Sequence, residues 1–108
     1  MTEKTETAEL SAEDRKLVTL ARATRARTQA AEGAAVRDLD GRTYAAATVD
    51  LPHLKVSAIG VCIAMAVASG SKGLDAVVLL TDGGLADADQ AALDDFGATT
   101  VLVNPARS

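Results

Sequence analysis

The sequence predicts an α/β domain, a mixed sheet of about four strands with helices on both faces. Three observations lead there. Residues 33–50 read as two short segments around an Asp-Gly turn, the pattern of a hairpin. Strand and helix patterns then alternate to the end of the chain. Within them Ala76-Val77-Val78-Leu79-Leu80 is a continuous apolar run, as expected of a central parallel strand covered on both faces. With 108 residues the chain has length for one domain. It divides into a flexible tail over 1–10 and a single domain over 11–108.

The elements follow in order. Residues 1–9 are polar and lack periodicity. Ser11, followed by Glu13 and Asp14, is a helix start with a capping hydroxyl and acids in the first turn. Leu10, Leu17, Leu20, Ala21 and Thr24 then share one side, which takes the helix to about Arg27. Gly33–Arg37 reads as a strand, Asp38-Leu39-Asp40-Gly41 as its loop, and Thr43–Asp50 as the partner strand, stopped by Pro52. Tyr44, Ala46 and Thr48 lie on one face of that partner, and Ala45, Ala47 and Val49 on the other. Val56–Ala68 is apolar almost all round and too long for a strand, so it reads as a buried helix. Asp75–Asp82 is the central strand. Leu85, Ala88, Ala92 and Phe96 mark the apolar side of a short acidic helix ending at Gly97, and Thr99–Val103 is the last strand.

Composition narrows the chemistry. Apolar residues are 48% and charged residues 24%, which excludes wholesale disorder. Aromatics are 2%, so the core is built from Ala, Val, Leu and Ile. These bury little area each, at roughly 25 cal/mol per Å², and a domain this small is expected to gain from burial against a second subunit. One Cys (Cys62) and one His (His53) exclude an internal disulfide and cannot by themselves fill a zinc site. The net charge of -4 argues against a general nucleic-acid binder. No basic-then-apolar signal opens the sequence, and Val56–Ala68 is shorter than the ~20 residues of a membrane span. A cytoplasmic location is the expectation.

The ordered motifs resemble one family. Gly33-Ala34-Ala35-Val36, then Asp40-Gly41, then Val49-Asp50 is similar to the opening of cytidine deaminases. There a Val-Gly-Ala-Ala strand, an Asp-Gly hairpin and Asn-x-Glu follow one another. Ala66-Val67-Ala68-Ser69-Gly70 resembles the family's Ala-Val-x-x-Gly helix ending. Leu93-Asp94-Asp95-Phe96-Gly97 with Val101-Leu102-Val103-Asn104 resembles its later helix and fourth strand. The resemblance covers residues 11–104 and implies a three-layer cytidine deaminase-like sandwich, here without the family's C-terminal strand.

It also implies a replaced catalytic site. Family enzymes hold zinc through C/H-x-E and P-C-x-x-C motifs, and the Glu shuttles protons around the metal-bound water. Counted back from Gly70, the first ligand position is Ser57 and the Glu position Ile59. A shift of two residues gives Ile59 and Val61, and starting from Cys62 gives Ala64, so no frame supplies the acid. The P-C-x-x-C positions fall at Leu85, Ala86 and Asp89. No catalytic residue, no metal ligand set and no cofactor is therefore expected, the family's zinc being lost. The ribose-binding Asn and Glu correspond to Thr48 and Asp50, shorter side chains that keep hydrogen-bonding capacity as vestigial contacts. The pyrimidine-packing aromatic falls near Ala30.

Other features each carry two readings. His53 beside Pro52 reads as a solvent-facing loop residue more simply than as a ligand. Cys62, flanked by Val61 and Ile63, reads as an inert core thiol rather than a reactive one. Gly83-Gly84 before a helix could cradle a phosphate, but Asp82, Asp87 and Asp89 repel anions. Asp87, Asp89, Asp94 and Asp95 are spread around a helix rather than converging on a metal. Arg15, Arg22 and Arg25 share a stripe that could bind RNA phosphates, against which stand the acids nearby and the lack of stacking aromatics. The leading expectation is a pseudoenzyme acting as an oligomeric binding or structural module, a dimer or tetramer through the Val56–Ala68 helix. The alternatives are a degenerate nucleoside deaminase, an RNA- or ribosome-associated accessory protein, and a nucleoside sensor using Asp50.

Overall fold

The computed structural model describes residues 10–98 and 100–106, so the tail expected over 1–9 and the start of the last strand at Thr99 lie outside the described residues. Helix α1 (Ala12–Thr28) begins where the capping pattern places it: the Ser11 hydroxyl accepts from the Asp14 N–H at 3.0 Å. It buries Leu17, Ala21 and Thr24. Leu10 packs against the same core and so belongs to the domain rather than to the tail. Leu20, expected on the inner side, is 38% exposed because the buried stripe is narrower than the predicted one.

Strands β1 (Gly33–Asp38) and β2 (Thr43–Ala47) form the predicted hairpin. The expected single strand over Thr43–Asp50 is broken at Thr48. There the backbone N–H of Thr48 bonds the Glu32 carbonyl at 3.1 Å, and its hydroxyl accepts from the Glu32 N–H at 3.0 Å. The chain leaves the sheet and forms a separate arm, β3 (Val49–Leu51) antiparallel to β4 (Leu54–Val56), with Pro52 and His53 at its turn. Val56 is thus strand rather than helix.

Helix α2 (Ala58–Ala68) starts after Ser57, whose Oγ accepts from the Gly60 N–H at 2.9 Å. Its inner side is Ala58, Ile59, Cys62 and Ala66. The expectation of burial all round is not met within one chain: Ala64 and Ala68 are exposed and Val67 is 54% exposed. Strand β5 (Leu74–Leu80) is the buried central strand. Helix α3 (Asp87–Phe96) buries Leu93, and Ala88 is exposed. Leu85 precedes this helix, so a stripe counted from it is rotated. Strand β6 (Val101–Asn104) closes the main sheet.

The sheet order is β2-β1-β5-β6, antiparallel except for the parallel β5–β6 pair. Alternation along the strands divides the core into two layers. Ala34, Val36, Ala46, Val77 and Leu79 meet α2 and α3. Ala35, Val78, Leu80 and Leu102 meet α1. The result is the predicted mixed α/β sandwich of three layers. Gly33 permits the close approach of α1 to β1, since a Cβ there would lie 2.4 Å from the Ala21 carbonyl oxygen. Among the described residues no helix is long and apolar enough to cross a membrane.

A buried polar knot fastens the far end of α2. Asp38, at the end of β1, receives hydrogen bonds from the Asp40 and Arg42 N–H groups at 2.9 Å each, and from Ser71 and Tyr44. Its Oδ2 also takes the Arg42 Nε at 2.9 Å. Burial alone would raise its pKa. The hydrogen bonds from Ser71 and the two backbone groups, with the Arg42 charge, outweigh that and hold the carboxyl at about 2.

Candidate functional site

At the other end of α2 the helix N-termini of α2 and α3 converge beside the point where β2 gives way to the arm. Ser57 does two jobs there. It caps α2, and it donates to Asp89 Oδ1 at 2.7 Å. Asp89 lies in the first turn of α3, so its carboxylate faces the positive end of its own helix and the cap of the other. The two residues are 32 positions apart, and only the tertiary fold brings them together. Of the other expected site positions, Ile59 is fully buried in the core and Ala86 is exposed at the head of α3 without a capping bond.

An open cleft of about 470 Å³ lies beside this pair, lined by Glu32, Thr48, Val49, Asp50, Lys55, Val56 and Ser57. Thr48 and Asp50 therefore do share a wall. The Thr48 hydroxyl is engaged with the Glu32 backbone, and Asp50 is ion-paired with Lys55 across the arm. Glu32 and Lys55 were not visible as site residues in the sequence. Glu32 precedes β1 with no motif around it, and its Oε2 accepts from the Thr81 hydroxyl at 2.7 Å. Lys55 carries a signal only once the arm is known, as the cross-strand partner of Asp50. Carboxylates of Glu32 and Asp50 with the Lys55 ammonium equip the cleft to hold a small polar ligand, and Asp89 reaches its edge only through Ser57. Among the described residues, no three His, Cys, Asp or Glu side chains gather closely enough to share a metal ion.

The remaining candidates are placed plainly. His53 is exposed at the arm's turn. Cys62 is fully buried, 3.8 Å from the Tyr44 carbonyl, and desolvation pushes its thiol up to about 12. Gly83 and Gly84 are exposed, as are Asp87, Asp94 and Asp95. The arginine stripe does not act as one patch. Arg15 donates to the Leu10 carbonyl at 2.8 Å and Arg25 to the Ala31 carbonyl at 3.3 Å, while Arg22 lies half-buried in a groove with Arg15.

A three-layer α/β sandwich with two helix N-termini converging at one end defines the class. The description "Cytidine deaminase-like" matches residues 10–108, and the chain belongs to that family. Among solved structures it is similar to cytidine deaminase from Mycobacterium leprae, with TM-score 0.68 and 21% identity over 81% of this chain and 82% of that one. It is also similar to a single-residue mutant of cytidine deaminase from Mycobacterium tuberculosis, with TM-score 0.72 and 18% identity over 87% of this chain and 86% of that one. At these identities the likeness is one of fold. No curated protein sequence matches.

Proposed function

We propose that this chain is a cytidine deaminase-like pseudoenzyme, without zinc or deaminase activity, that works as an oligomeric binding or structural module. The observation that carries this reading is the Ser57–Asp89 hydrogen bond. At the positions that the family resemblance assigns to metal ligands, a serine and an aspartate satisfy each other directly, and Ala86 offers no donor. A catalytic zinc takes about three protein ligands from His, Cys and carboxylate. The set Ser57, Ala86 and Asp89 does not fit that ion, and Ile59 cannot shuttle a proton.

The oligomeric part rests on α2. Its outer side carries Ala64, Val67 and Ala68, with Ile63 half-buried, and the helix holds no charged residue. Exposed Leu51 and Leu54 on the arm add to the apolar surface of the chain. Isologous packing against a second copy would remove such a face from water. The test is to measure zinc content, cytidine absorbance change and mass by light scattering on one preparation of the full chain. The expected result is zinc-free protein, no turnover and a dimer or tetramer. Stoichiometric zinc with cytidine turnover would establish the degenerate deaminase instead.

A further inference from the structure

On the opposite face of the sheet, a second groove lies between α1 and the carboxyl end of β6. It measures about 360 Å³ and is lined by Leu10, Arg15, Val18, Thr19, Arg22 and Asn104. Three features separate it from an ordinary surface crease. The Nε of Arg22 is buried and has no hydrogen-bond partner among the described residues. Asn104 is 8% exposed, its backbone carbonyl accepts from the Thr81 N–H at 2.9 Å, and its side-chain amide finds no partner among the described residues. A buried polar group such as the Arg22 Nε is ordinarily paired, because leaving one unmade costs roughly 1–3 kcal/mol. Finally, among the described residues no carboxylate lines the groove, although acids outnumber bases 15 to 11 in the chain.

Donors therefore converge where an acceptor is missing. The Arg22 guanidinium, the Asn104 amide and the N–H groups of the Arg15 guanidinium that the Leu10 carbonyl does not take match an anion with several oxygens. The position also fits, since ligands of open α/β sheets lie outside the carboxyl ends of parallel strands, and β6 is parallel to β5. We infer that this groove binds a phosphate group, with Arg22 as its anchor. Leu10 and Val18 form an apolar wall beside the donors, so the groove has room for the organic part of a small phosphate ester as well as for the free ion. The site is separate from the Ser57–Asp89 cleft and stands or falls independently of the pseudoenzyme reading.

The test follows the Nε–H resonance of Arg22 by NMR on the full chain. Inorganic phosphate and ribose 5-phosphate are titrated separately, with sodium chloride at matched ionic strength as the control. A saturable shift with phosphate and none with chloride is expected. Tighter binding of the sugar phosphate assigns the site to esters, and equal binding assigns it to the free ion. Arg22→Gln should weaken binding by roughly tenfold or more, the loss of one charge-assisted bond. Arg27→Gln, exposed on the same helix outside the groove, should bind as the wild type. Circular dichroism establishes that both variants fold. The inference is overturned if phosphate and chloride act alike, if Arg22→Gln keeps wild-type affinity, or if only single-stranded RNA produces an Arg22-dependent shift.

Discussion

The two ends of α2 are both held by a carboxylate and a serine, yet they are built to different standards. At the C-terminal end Asp38 accepts from Ser71, Tyr44, Arg42 and two backbone N–H groups, with its side chain removed from water. At the N-terminal end Asp89 takes one hydrogen bond from Ser57, which lines an open cleft, and stays half-buried. A carboxylate saturated on all sides has no capacity left for a ligand and serves to fasten the fold. A carboxylate with spare acceptor sites keeps capacity for one. Polar residues alone do not mark a functional site; unspent hydrogen-bonding capacity does.

The contrast can be broken most directly at its strong end. Asp38→Ala leaves Ser71, Tyr44, Arg42 and two backbone donors without their acceptor, and should cost about 3 kcal/mol in urea unfolding. An effect no larger than that of Ser57→Ala would remove the distinction between the two ends. Acid is the next lever. The Asp38 carboxyl sits at about 2 in the fold against an ordinary 3.8, so the unfolded chain binds the extra proton between those values. Its contribution is complete above about pH 5 and is lost as the pH falls toward 2. The melting temperature of the wild type should drop over that range more steeply than that of Asp38→Asn.

Smaller effects belong to the open end. Ser57→Ala removes the α2 cap and the link to α3 together, and should cost roughly 1 kcal/mol, typical of a lost N-cap. Its readout is a lower urea midpoint with unchanged slope. Asp50→Ala, at an exposed ion pair with Lys55, should change stability by less than about 0.5 kcal/mol. A larger loss would mean that the arm is part of the structural frame rather than a free wall of the cleft.

Much of the fold was legible because it depends on local patterns. Ser11 with Glu13 and Asp14 marked α1 to within a residue, and the run through Ala76–Leu80 marked the central strand. The break at Thr48 was not legible. Thr43–Asp50 keeps its alternation straight through, and only a partner at Glu32, 16 residues earlier, turns the chain out of the sheet. Asp38 likewise read as a loop residue, since Ser71 approaches it from 33 positions away.

The candidate site divides the same way. Ser57 and Asp89 were reached through the family resemblance, but nothing in their spacing announced that one would donate to the other. Glu32, and the placing of Arg22 and Asn104 in one groove, required coordinates. What the sequence by itself determined is the layered α/β order, the aliphatic core and the scarcity of cysteine and histidine, because periodicity and composition act along the chain. What only the tertiary structure decided is which polar groups are satisfied and which are left open. That depends on contacts between residues far apart in sequence, and on how much water the fold leaves around them.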